Sequence, residues 1–157
     1  MTKIVSQFVN RLLLVTLFAS PPLASAQVDP NADIYGKWKI KAMIGGGAAS
    51  ALTQRDVDKL IGKYVIISPE KFAFNGRTCT HPNYQRTKEE TVQFFDQAWR
   101  ADVSDIPFPN PVTVVETGCN TLFPIRKNHL MIAEENVFLE AVRDNAGLRK
   151  ASPQRQR

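Results

Sequence analysis

The chain has 157 residues and a formal net charge of +5, from 20 lysines and arginines against 15 aspartates and glutamates. That length leaves room for one domain with a modest core. Much of the basic excess lies in the closing stretch "RKASPQRQR", and no long basic run is interleaved with aromatics, so the charge does not point to nucleic acid.

Residues 1–26 read as a signal peptide. Lys3 and Arg11 form a charged start, "LLLVTLFA" an apolar run too short to span a bilayer, and Ala24-Ser25-Ala26 a small-residue cleavage site. Cleavage is expected before Gln27, with no cysteine nearby to carry a lipid. Losing Lys3 and Arg11 lowers the net charge to +3. The expected destination is a bacterial periplasm or the medium, with no integral membrane segment left after cleavage.

The domain is expected over residues 27–143. "IYGKWKIKAM" (34–43) alternates in period two, with Ile34, Gly36, Trp38 and Ile40 on one face and three lysines on the other. "IGGGAASA" reads as a mobile loop. "LTQRDVDKLIG" reads as a short helix that Gly62 ends. "KYVIIS" and "KFAFN" form a hairpin through Pro69-Glu70. "GRTCTHPNYQR" reads as a loop with a short extended piece around Tyr84. Thr87 and Glu90 are spaced as a capping box for a helix over 88–100, with Val92, Phe95 and Trp99 as its buried stripe. The paired Glu89 and Glu90 fit a helix start better than acid–base chemistry. After the proline-rich "DVSDIPFPNP", four strand-like runs follow, "VTVVET", "TLFPIR", "HLMIAE" and "VFLEAV", separated by tight-turn residues.

The pattern sums to a mostly β fold of about eight hairpin-connected strands with two short inserted helices, an antiparallel barrel or sandwich. Phe72, Phe74 and Phe123 are candidates to fill its interior. Residues 144–157 are expected to be a disordered basic tail.

Gly36-x-Trp38 in the first strand, with Arg143 ending the last, resembles the lipocalin and calycin barrels. The mature region is also similar to small uncharacterised secreted proteins of proteobacteria. The resemblance implies an eight-stranded calycin-like barrel, with Trp38 as a structural plug at one end and the Arg143 guanidinium packed across its indole. Such a contact is a cation–π interaction worth about 0.5–2 kcal/mol. Arg143 is in phase with Val137, Leu139 and Ala141, while Phe138 and Val142 take the other face.

Cys79 and Cys119 are the only cysteines, and an exported small domain would join them in a disulfide. A metal site drawing on both with His81 and His129 lacks ligand spacing. The two histidines, with no G-x-S-x-G or H-E-x-x-H, point away from an enzyme. No cofactor is expected. The readings that remain are non-enzymatic. The first is a monomeric binding protein, an inhibitor or partner of a cell-envelope protein, contacting it through His81, Asn83 and Tyr84 or loop 45–51. The alternatives are a lipocalin-like carrier of a small hydrophobic ligand and a structural envelope protein.

Overall fold

The computed structural model describes residues 28–145. The leader expected over 1–26 and nearly all of the tail expected over 144–157 lie outside them. Nine strands form one antiparallel sheet in the order β4-β3-β2-β1-β9-β8-β7-β6-β5, curled into a half-barrel. In chain order these are β1 (Gly36–Gly46), α1 (Gln54–Leu60), β2 (Tyr64–Ser68), β3 (Lys71–Phe74), β4 (Arg77–Thr80), β5 (Gln85–Glu89), α2 (Thr91–Trp99), β6 (Val112–Glu116), β7 (Thr121–Arg126), β8 (His129–Glu134) and β9 (Val137–Arg143).

The strand count is therefore nine rather than eight. The additional strand is β4, in a stretch expected to be loop, and β5 takes the place of the short extended piece expected around Tyr84. β4 and β5 pair with only one neighbour each, β3 and β6, and no ladder joins them to one another. Their residues are largely exposed, so no apolar alternation announces them. β1 also runs on into the glycines, where Gly45 and Gly46 pair with Phe138 and Val137.

Both helices form, with different ends from those expected. α1 is opened by Thr53 in a capping box with Asp56, whose carboxylate accepts from the Thr53 hydroxyl at 2.7 Å. Gly62, just past its end, has φ +85°. α2 starts at Thr91 instead of Lys88, because the β5–β6 ladder carries Thr87 and Lys88 onto Val114 and Thr113. Glu90 is the N-cap, its carboxylate accepting from Gln93 N at 2.7 Å, and Thr87 caps nothing. Val92 is 66% exposed and leaves the expected stripe, while Thr91 and Phe95 are buried.

The core has two parts, one on each face of the sheet. The inner face gathers Trp38, Ile40, Val65, Ile67, Phe72, Phe74, Leu122, Leu130, Ile132 and Leu139, and α1 adds Val57 and Leu60. The outer face of β6–β9 gathers Val112, Val114, Phe123, Met131 and Phe138 under Phe95 of α2 and under Ala101 and Val103 of the connector. Phe95 stacks on Phe108 at 4.9 Å and tilts against Phe123 at 5.0 Å. Phe123 thus packs under the helix and not inside the curl. Consecutive apolar residues in β7, β8 and β9 follow from burial on both faces.

Candidate functional site

Trp38 and Arg143 sit opposite each other in the β1–β9 ladder. The Arg143 guanidinium carbon lies 4.2 Å from the Trp38 ring centroid. The indole Nε1–H donates to the Ile34 carbonyl at 2.8 Å, which fixes the ring. Arg143 donates to the carbonyls of Asp33 and Tyr35, holding the chain that leads into β1. Burial pushes the guanidinium below its ordinary pKa, with the Asp33 charge acting the other way. Gly36 makes this possible, since a Cβ there would lie 2.6 Å from Arg143 Nη1.

No ladder joins the β4 and β5 edges; beside this seam, side chains tie β4 and the segment after it to other parts of the sheet. Cys79 of β4 is disulfide-bonded to Cys119 in the β6–β7 turn, across 40 residues of sequence. Arg77 of β4 forms an ion pair with Glu134 of β8, a carboxylate that is 4% exposed and also accepts from Asn120 Nδ2 at 2.7 Å. The Tyr84 hydroxyl donates to the Ser68 carbonyl at 2.8 Å, and its ring meets Tyr35 edge-on at 5.5 Å. Burial pushes the Tyr84 phenol up to about 12, helped by the charges of Glu70 and Asp29.

Between Thr80 and Gln85 the chain crosses this seam. His81 adopts φ +51° and its N–H donates to the Glu70 carbonyl at 2.8 Å. The His81 and Asn83 side chains are exposed and make no hydrogen bond or ion pair among the described residues. Tyr84 differs from both. It is half-buried, and its hydroxyl bond to the Ser68 carbonyl fastens the segment. The three residues expected to act together therefore divide into two displayed side chains and one fastening.

Loop 45–51 stands on another part of the surface. Gly47 N donates to the Asn136 carbonyl and Ala48 N to the Trp99 carbonyl, while Ser50 Oγ donates to the Glu135 carbonyl. A Cβ on Gly47 would lie 2.7 Å from the Trp99 carbonyl oxygen, which accounts for the small residue there. The Gly47 and Ser50 bonds tie the loop expected to be mobile to the β8–β9 turn, and the Ala48 bond ties it to the end of α2.

A cluster not anticipated from the sequence joins β7, β8 and β9. His129 Nδ1 lies 2.7 Å from Glu140 Oε1, which Arg126 Nη2 approaches at 3.3 Å. The signal for it was the Glu135-Asn136 hairpin turn, which sets His129 opposite Val142 and Met131 opposite Glu140. Among the described residues the His129 ring is bonded by Arg126 and Glu140, and no Ser, Thr or Cys side chain bonds it. With Cys79 and Cys119 joined to each other, His81 and His129 share no thiolate ligand, and no group of three or more His, Cys, Asp or Glu could hold a metal among the described residues. Nor is any helix among them long and apolar enough to cross a membrane.

No protein-family model matches the chain, and neither does any curated protein or solved structure.

Proposed function

We propose that the chain is an exported, non-enzymatic binding protein that engages a cell-envelope protein, as an inhibitor or partner, through the segment displaying His81 and Asn83. The observation that carries this reading is the contrast within that segment. Two side chains point outward without partners, while the backbone beneath them is held by the Cys79–Cys119 bond, the Glu70 carbonyl and Tyr84. A recognition loop held in one conformation loses less entropy on binding.

Export rests on the leader at 1–26, and the disulfide fits an oxidising compartment. The likeness to calycins is supported by the up-and-down strand order with first and last strands paired, and by Arg143 over Trp38. A carrier of a hydrophobic ligand would need room inside the curl. Trp38, Ile40, Phe72, Leu130 and Leu139 fill that face and are almost fully buried, which weighs against carriage.

Immobilised protein exposed to envelope extract tests the reading. Wild type should retain a partner, and a combined His81→Ala and Asn83→Ala variant should lose it at an unchanged thermal midpoint. Tyr84→Phe should keep the partner and lower the midpoint. Equal retention by the double variant, or co-purification of a stoichiometric small apolar molecule with no partner retained, overturns it.

A further inference from the structure

Beside the Trp38–Arg143 contact lies a cavity of about 250 Å³. Its apolar floor is the half-buried Pro124 and the 8%-exposed Ile125, and the more deeply buried Ile34, Trp38 and Leu130 line the cavity. Arg126, Lys127 and Arg143 line it as well, with Asp33 its sole acidic residue. The charges do not cancel. Asp33 is already paired with Arg86 at 2.6 Å, and Arg126 shares Glu140. Lys127 has no ion pair or hydrogen bond among the described residues. Arg143 meets only carbonyl oxygens within bonding distance, which occupy two of the five N–H groups a guanidinium carries.

We propose that this cavity is a binding site for a small apolar carboxylate. The carboxylate sits between Lys127 and Arg143, beside Trp38, and its aromatic or branched body lies against Pro124 and Ile125. A guanidinium fork matches a carboxylate, and an ammonium beside it adds a point charge. The apolar floor selects against a hydrated inorganic anion, which would lose water there without gaining a partner. The volume falls just below the roughly 300–1,000 Å³ of drug-sized pockets, which limits the ligand to about one ring or a short branched chain. The same chemistry is offered by a free organic acid and by the C-terminal residue of a polypeptide. This site does not depend on the His81 and Asn83 surface, and neither result decides the other.

The test is a titration of the isotope-labelled protein with benzoate, N-acetylphenylalanine and benzamide, following the Trp38 indole N–H signal by NMR. That signal is separated from Trp99 with a Trp99→Phe variant. Benzoate should shift it saturably, and benzamide should bind at least about fivefold more weakly, a difference of about 1 kcal/mol. Lys127→Ala should weaken benzoate by a similar factor at an unchanged thermal midpoint, because the side chain supports nothing else. Tighter binding of N-acetylphenylalanine, which carries the α-carboxylate and amide of a chain terminus, than of benzoate assigns the site to chain termini; the reverse order assigns it to free acids. Absence of a saturable shift with either carboxylate, equal binding of benzamide, or a Lys127→Ala titration that superimposes on wild type overturns the proposal.

Discussion

Gly36 and Arg143 interlock: the guanidinium occupies the space that a side chain at position 36 would fill, 2.6 Å from where its Cβ would stand. Gly36 also has φ +139°, a backbone conformation that residues with a Cβ rarely adopt. Gly36→Ala should therefore destabilise through both causes, by about 1–3 kcal/mol. In an Arg143→Ala background the collision is gone and only the backbone strain remains. The alanine should then cost less, by about 0.5 kcal/mol or more, in urea unfolding. Equal costs in the two backgrounds would show that Arg143 does not occupy that space.

Trp38 is the larger contribution at this end. It is 2% exposed, and Trp38→Ala should cost about 3–5 kcal/mol through the cavity it leaves. Arg143→Ala should cost less, since it removes the cation–π contact, two hydrogen bonds to carbonyls and some stem packing. Both substitutions delete the same contact, so the double variant should be less destabilised than the sum by about 0.5 kcal/mol or more. Chemical denaturation of the four proteins measures the coupling, and additive losses would deny it.

β4, on one side of the seam, is tied covalently to the β6–β7 turn. The Cys79–Cys119 bond spans 40 residues, which in the chain-entropy model stabilises by about 4 kcal/mol. Replacing both cysteines by alanine should lower stability by up to that amount. Thiol labelling of the unfolded, unreduced protein should find no reactive thiol. Stoichiometric labelling of two thiols would mean that the bond is absent.

Alkaline pH should loosen the same seam. The Tyr84 phenol is raised to about 12 by burial, and Tyr35 is raised further in the same direction, by burial and by its 2.8 Å bond to Asp29. A raised folded value means that the neutral phenol is favoured in the native state. The associated stability is intact below the ordinary tyrosine value near 10 and is lost as pH rises from there through about 12. Tyr84→Phe should flatten that decline and remove a late step from the tyrosinate absorbance titration. A Tyr84→Phe protein with the same alkaline slope as wild type would contradict this.

Legibility in the sequence followed how much apolar contrast each segment carries. β6 to β9 stood out because β-branched and aromatic runs are separated by turn residues, and Asn128, Glu135 and Asn136 indeed take positive φ. β4 and β5 did not, because "RTCT" and "QRTKE" are edge strands with little to bury and are held mainly by their one ladder partner. The Thr87–Glu90 spacing misled because a nonlocal ladder outweighed a local capping signal. Phe138 gave no answer about the buried face since both faces are covered, one by the inner core and one by α2. Of the candidate contacts, His81 and Asn83 read correctly as exposed. Tyr84 did not reveal its bond to Ser68, because nothing in the sequence tells that the two meet across the seam. The Arg126–His129–Glu140 cluster needed the hairpin register, which a turn motif supplies only after the strands are paired.

The most direct measurement of the central claim is site-specific photocrosslinking in intact cells, with a photoreactive residue placed at position 81, 83 or 92. Positions 81 and 83 lie on the proposed recognition segment, and Val92 is also an exposed position, on α2, at 66%. The account expects one discrete envelope-protein adduct from positions 81 and 83 and none from position 92. Adducts that are equal at all three positions, or absent from 81 and 83, would contradict it.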